Sequence, residues 1–475
     1  MVIITPNYYF DQRAVSQQEG DMLMQISGDS AESITSHIDA LIKAPLLVSQ
    51  SAIVGMVFSQ ITLSNIIRTH VLLAISDRSS DIVQLDLRIA KRIVFVLMLS
   101  VAALIVSASG LFILQISNLS TELGLSFTDT FAILINTSTG TIWLLRIITS
   151  IIVAIFSTTY FICIRRGLTS KKLYPKGVNK YNYVFLSVIL ISGAINLMSN
   201  SVVSHNAATE FFPLLAVSVD WFHVMGVSIW LGGLFYLSLV LLYVIEILGK
   251  DVKYGSDRPI KLWEQQIEIR NSYSLAIMLP YFSMIAVLCL GVIGTTGLYM
   301  AWLQLQSVGS LFTSTYGNIL ILKLSIIFPM IGLGAYHQIK LHCVMVHAAN
   351  KERHPNIEPN IGGDRYDPFR RFSKTIKIES LIGIAVLVVS SFLTITSPPT
   401  MVRSIPDIQI SGSELSENNF DSTTEGDEKP AVPKLSDGFS ITALILGIIV
   451  NVMSLYYYRK NRKELKATIS LLKKY

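Results

Sequence analysis

Charge is scarce in this chain. Of its 475 residues only 15% are Asp, Glu, Lys or Arg, while 51% are hydrophobic, and the mean hydropathy is +0.53. A water-facing surface cannot be covered at that composition, which excludes a soluble globular enzyme. The same apolar content excludes a chain disordered throughout, and 28 Gly and 15 Pro are too few for a fibrous repeat. Cysteine is nearly absent: Cys163, Cys289 and Cys343 are scattered and form no CxxC, so neither a disulfide framework nor a thiolate metal cluster is expected. No GxxxxGK(S/T) occurs to couple ATP hydrolysis to transport, and no HExxH or GxSxG anchors a metalloprotease or serine hydrolase. Met1 to Lys43 is polar and mixed, without the basic and apolar regions of a signal peptide.

What the chain has instead is long apolar runs. Windows of about 20 apolar residues, the length that crosses a hydrocarbon core of about 30 Å, recur nine times. They lie at 45–67, 93–115, 141–163, 183–203, 214–244, 275–303, 318–339, 376–396 and 437–458. Backbone polar groups in lipid must be satisfied within each segment, so these runs are predicted to be helices. The expected fold is all-α, a polytopic membrane helix bundle.

The formal charge of +6 would suggest nucleic acid in a soluble chain, but here the distribution of the basic residues decides. Connections 68–92, 164–182, 245–274, 340–375 and the tail 459–475 together hold 30 Lys and Arg, against 5 in 1–44, 116–140, 204–213, 304–317 and 397–436. That asymmetry predicts an outer N-terminus and a cytoplasmic C-terminus in the cell membrane, with lipid and not nucleic acid as the surroundings. The acidic, Ser/Asn-rich stretch Ser411 to Ser436 is then an outer linker.

The chain also repeats itself. Ser51-Ala-Ile-Val-Gly55-Met-Val-Phe58 aligns with Ser228-Ile-Trp-Leu-Gly232-Gly-Leu-Phe235 at an offset of 177. Gly140-Thr-Ile-Trp-Leu-Leu-Arg146 aligns with Gly317-Asn-Ile-Leu-Ile-Leu-Lys323 at the same offset. Two separated matches with one offset point to a duplication. The expected organisation is an outer segment 1–44, a first four-helix half 45–203, a second half 204–400, a linker 401–436, and a final helix with a basic tail 437–475. Four helices separate the copies, so the halves are parallel, unlike the inverted repeats of many transporters.

Ionisable groups in hydrocarbon are costly and mark functional sites by default. Arg146, His223 and Lys323 are expected in one layer about 9 Å to the outer side of the midplane, from a rise of about 1.5 Å per residue. Asp220 stands one turn from His223 on the same helix face. Lys323 or Arg146 either neutralises Asp220 inside the bundle or snorkels to the outer surface. His223 is either a hydrogen-bonded packing residue or a ligand. His205, at the outer end of the fourth helix, joins the fifth through about ten residues, so both imidazoles are expected to converge on an outer vestibule. Met198, Met225 and Met300 lie nearby in the outer half. Imidazole with thioether suits copper, Cu(I) above all, although most methionines in an apolar protein face lipid or core. His70, His337, His342, His347 and His354 read as solvated histidines on the cytoplasmic side, His37 lies in the outer segment, and Met22 and Met24 belong to an unstructured tail or capture copper outside.

At this point the residues resemble a known family. Asp220-Trp-Phe-His223-Val-Met-Gly-Val-Ser-Ile-Trp230-Leu-Gly232-Gly233-Leu is similar to a helix of copper-resistance D (CopD) proteins, which carry a His followed by Trp-x-Gly-Gly. Gly294-Thr-Thr-Gly297-Leu, Thr315-Tyr316-Gly317-Asn-Ile-Leu-Ile-Leu-Lys323, Ser204-His205-Asn-Ala-Ala and Glu379 with the helix ending at Ser397-Pro398-Pro399 resemble further elements of that family, over about residues 45–400. The resemblance implies an eight-helix copper-handling core that takes copper ions, as substrate, from outside toward the cytoplasm. Some relatives carry a small outer β-domain that 44 residues cannot hold, so a separate outer copper carrier is expected, or a start further upstream. Ser204 stands where a glycine is frequent. Two other readings remain: a cytochrome b-like redox protein, disfavoured because His205 and His223 differ in depth by about 10 Å, and a copper sensor or assembly factor for an outer cuproenzyme. No catalytic residue is expected.

Overall fold

The computed structural model describes residues 21–66, 79–165, 178–204, 213–244, 260–305, 307–345, 368–402 and most of 445–466. All regular structure among them is helical. Eight helices are long and apolar enough to cross a membrane: α1 (Asp21–Ile66), α2 (Ser79–Leu123), α3 (Ser138–Arg165), α4 (Val178–Val202), α5 (Pro213–Phe235), α6 (Ile260–Gln304), α7 (Thr315–Tyr336) and α8 (Pro368–Leu393). A further helix, α9, is described over 449–463. The chain is an all-α multi-pass membrane bundle. Most of the acidic linker and of the polar N-terminal segment lies outside the described residues.

Two boundaries differ from the apolar windows, both for a backbone reason. The membrane-length part of α1 runs His37–Leu63 and holds Pro45 inside it. Lys43 is therefore carried on a spanning helix, because a proline within a packed membrane helix does not end it. At the other side, α7 runs on past its window to Met345, whereas the described part of α5 ends at Val244 as its window does. Each passes through a π-helical turn, Tyr236–Leu241 and His337–Leu341, the kind of local underwinding that often accompanies functional sites.

The bundle is organised around the crossing of α1 and α5. Ser51 and Ser228 touch through their hydroxyls at 3.2 Å. A Cβ at Gly55 would lie 2.0 Å from the Ser228 carbonyl oxygen and 2.5 Å from Gly232 Cα; one at Gly232 would lie 2.3 Å from the Ser51 carbonyl oxygen and 2.5 Å from Gly55 Cα. The contacts are reciprocal, as at a two-fold axis, where position i meets j and j meets i. Only glycine lets two helix backbones approach this closely, the small-residue packing on which membrane helices rely.

The second pair of matched segments folds alike as well. Gly140 N–H donates to Thr137 Oγ1 at 3.1 Å and Gly317 N–H to Ser314 Oγ at 3.0 Å, hydroxyl caps that start α3 and α7. Each follows a short helix, Phe127–Ile135 and Ser310–Thr313, and lies against an equivalent backbone oxygen, that of Leu134 or Leu311. Two four-helix repeats therefore make up α1–α4 and α5–α8. The short helices mark one end of the bundle, the short-helix face, and the basic connections leave the opposite one, the basic face.

The repeats are not equally closed. α2 packs along α3, whereas α6 and α7 make no comparable contact. Instead α9 lies against α6, with Ser454 and Val450 over Gly291 and Gly294. At the basic face the buried Asn461 of α9 accepts a hydrogen bond from Gln338 Nε2 of α7 at 3.1 Å. The final helix thus touches both members of the looser pair.

Gly55→Ala and Gly232→Ala are expected to destabilise the protein by about 1–3 kcal/mol each, because backbone and not a flexible side chain blocks the added methyl. Gly332→Ala, where nothing lies within 4 Å, should be neutral. Thermal unfolding in detergent checks this, and equal midpoints for all three variants would contradict the close crossing.

Candidate functional site

The ionisable residues meet on and beside the α1–α5 axis. Asp220 is buried on α5 and lies within electrostatic reach of Lys43 on α1 and of Tyr316 and Lys323 on α7. Lys43 and Asp220 are separated by 177 positions, so one residue of the repeat has become a cation in the first copy and an anion in the second. Arg146 and Lys323 are likewise equivalents. Lys323 reaches Asp220 and also His223 electrostatically.

Arg146 does not neutralise Asp220. Its Nε donates to Ser199 Oγ at 3.0 Å and a terminal nitrogen donates to Asn200 Oδ1 at 2.9 Å, while its guanidinium lies 4.6 Å from the centre of the Trp143 ring. The surrounding polar groups close on themselves. Asn200 donates to Gln50 Oε1 and Gln50 donates to Asn196 Oδ1, both at 2.7 Å. Asn196 Nδ2 donates to Thr149 Oγ1 at 2.8 Å and to the Arg146 carbonyl at 3.1 Å. A planar fork with its acceptors fixed by three helices explains why an arginine, and not a lysine, stands in this copy.

His223 sits where α5 meets α6. Its Nδ1 is 3.0 Å from Thr296 Oγ1, and the Thr296 hydroxyl hydrogen is already engaged by the Val292 carbonyl one turn back. With that hydrogen kept on the carbonyl, Thr296 accepts from Nδ1 and Nε2 holds the lone pair; with it turned to the ring, Nδ1 accepts and the tautomer is reversed. The ring lies against α6 because Gly297 has no side chain: a Cβ there would be 3.3 Å from Cε1. A histidine oriented through one nitrogen with the other left basic is the arrangement found in metal-ligating imidazoles.

The other expected site residues are placed as follows. Met225 on α5 and Met300 on α6 are half-buried. Met198 is 42% exposed, on the side of α4 that faces out of the bundle. His205 lies outside the described residues, as do His70, His347 and His354. Among the described residues no three His, Cys, Asp or Glu side chains stand close enough to hold a metal ion, so His223 offers one imidazole and no acidic cage. His337 and His342 are not solvated loop residues. The helix runs on through the π-helical turn, and the two are only 2% and 6% exposed.

Sequence reasoning missed Lys43, Gln50, Asn196, Asn200 and Thr296. The Lys43 signal was available in the 177-residue offset, eight positions before the aligned block. The amides and Thr296 carry no charge, so a search restricted to ionisable groups passes over them.

With this geometry in hand, the comparison with known proteins is direct. Residues 276–393 match the family model of copper resistance protein D. The matched stretch holds Thr296, Gly297, Lys323, His337 and Glu379, and α5 with His223 precedes it. The chain is also 26% identical over 204 residues to the copper transport protein CutJ of Bacillus subtilis (strain 168), a match covering 43% of this chain and 29% of that protein. The chain thus spans less than a third of that relative. No solved structure matches.

Arg146→Lys should destabilise the protein by about 1–3 kcal/mol despite keeping the charge, because buried acceptors in the amide network lose their donors. Met198→Ala, on an exposed face, should fall within about 0.5 kcal/mol of wild type. Thermal denaturation in detergent distinguishes the two, and an unchanged midpoint for Arg146→Lys would show that the fork is not what the network requires.

Proposed function

We propose that the protein is a copper transporter of the cell membrane that takes copper ions from the outer face toward the cytoplasm. Copper is its substrate and not a resident cofactor. The observation that carries this reading is the His223 imidazole, hydrogen-bonded to Thr296 and packed on a helix within the stretch that matches copper resistance protein D. The name of the related copper transport protein supports the same reading.

In this reading the short-helix face is outside, because the basic connections belong in the cytoplasm. His205 captures copper at that face, received from a separate outer carrier, with Met225 and Met300 supplying thioethers. His223 takes it next. One imidazole with soft sulfur partners holds Cu(I) loosely enough to release it, as a conduction path requires. Lys323 repels the incoming cation and Asp220 offsets that repulsion, so the two set the affinity without ligating. The membrane potential contributes about 2.3 kcal/mol per charge per 100 mV to inward movement of a cation.

Copper uptake into vesicles tests the proposal. Wild-type protein should accumulate copper, and His223→Ala and His205→Ala should abolish uptake. Thr296→Val should lower copper affinity about tenfold by freeing the ring. Intact copper binding with no uptake by wild-type protein would replace transport with an assembly or sensing role.

A further inference from the structure

A second buried histidine lies in the half of the bundle nearer the basic face. His337 opens the π-helical turn after α7, and Glu379 on α8 stands ten residues, or about 15 Å of helix, from Phe369 at the basic end. Their side chains are each 3% exposed, and Nδ1 of His337 is 3.2 Å from Glu379 Oε2. That oxygen has no hydrogen-bond partner. Nε2 of His337 lies 2.7 Å from Thr375 Oγ1, whose own hydrogen is engaged by the Arg371 carbonyl at 2.9 Å. With that hydrogen kept on the carbonyl, Thr375 accepts and Nε2 carries a proton; with it turned to Nε2, the ring proton sits on Nδ1 and faces Glu379.

The consequence is a constraint on the second nitrogen. A carboxylate this deeply buried beside a neutral imidazole would be an uncompensated charge, which is strongly unfavourable in a low-dielectric interior. One proton between Nδ1 and Oε2 removes it. Placed on the imidazole it makes an ion pair, and placed on the carboxyl it makes two neutral groups; in both cases the pair is neutral with one proton and carries one negative charge without it.

Among the described residues, no buried Lys or Arg stands beside the pair to take that proton's place. Lys340 on the continuation of α7 and Arg370, Arg371, Lys374 and Lys377 on α8 are all exposed. His342 is buried, with Nε2 3.2 Å from the Ala276 carbonyl of α6. From α5, Ser238 bonds Ser380, and Tyr236 donates to Gln60 of α1. α9 contributes Asn461, which is paired with Gln338.

We propose that His337 and Glu379 form a proton-binding site and that copper movement is linked to proton movement through it. The link rests on the transport reading given above. A monovalent cation entering the bundle adds one positive charge to a low-dielectric interior, and loss of the proton from this pair removes one. For a net exchange the proton leaves toward the short-helix face as copper enters from there, and the pair takes one up again from the basic face once the copper has left on that side.

The test uses the full-length protein in vesicles with the membrane potential clamped at zero. With one proton exchanged per copper, a gradient of one pH unit should change the copper accumulation ratio of wild-type protein about tenfold. Glu379→Gln should still move copper down its gradient but lose this response, and His337→Gln should do the same. Wild-type flux that ignores the pH gradient overturns the link while leaving transport in place. If wild-type protein moves no copper at all, the transport reading fails, and infrared spectroscopy of the purified protein decides the proton site by itself. A pH-difference spectrum with carboxyl or imidazole bands that vanish in Glu379→Gln supports the site, and identical spectra for the two proteins overturn it.

Discussion

The contact on which the rest of the molecule depends is the backbone approach of α1 and α5 at Gly55 and Gly232. Because each glycine meets the other's helix at the same register, equivalent positions of the two repeats are forced to face one another along the axis. Eight residues before Ser51 and Ser228, the axis reaches Lys43 and Asp220. A duplicated residue cannot be identical in both copies there if it is charged, since like charges would then meet in a low-dielectric interior. Divergence to a cation and an anion resolves this. The polar layer follows from the crossing and not from any one helix.

Symmetry is broken at the same level on either side. In the first copy Leu46 stands where the second has His223, fully buried in the apolar core. Arg146 is held by Ser199, Asn200 and Trp143, and its neighbouring amides satisfy one another. In the second copy Lys323 lies within electrostatic reach of both Asp220 and His223. There α6 and α7 are joined by single hydrogen bonds, Tyr316 to Gln304 near the short-helix face and His342 to the Ala276 carbonyl near the basic face, with α9 touching both. A polar network that closes on itself ties three helices of the first copy together, whereas the second relies on isolated contacts.

Much of this was legible in the sequence. Hydropathy located the spans, because the requirement for internal hydrogen bonding in lipid leaves no alternative to helices there. The 177-residue offset paired the segments whose Ser51 and Ser228, and Gly55 and Gly232, meet at the crossing, and the cost of burying charge drew attention to Asp220, His223, Arg146 and Lys323. What was not legible depended on backbone detail. Pro45 looks like a helix boundary but sits inside α1, which hid Lys43. The helix continues through the π-helical turn at residues 337–341 beyond its apolar window, which made the buried His342 read as a loop residue, and His337, two residues inside the end of that window, was read with it. The hydrogen-bond partners of Arg146 are uncharged and come from α4, more than fifty residues on, so no local pattern points to them.

His223 and His337 share one device. Each ring nitrogen that meets a threonine finds a hydroxyl that also reaches a carbonyl of its own helix. While the hydrogen stays on that carbonyl the threonine accepts from the ring; turned toward the ring, the same hydroxyl donates and the tautomer reverses. The threonine faces Nδ1 at His223 and Nε2 at His337, where Nδ1 stands 3.2 Å from a carboxyl oxygen. A helix carbonyl thus competes with each imidazole for one hydroxyl hydrogen, and the outcome of that competition sets which ring nitrogen is basic.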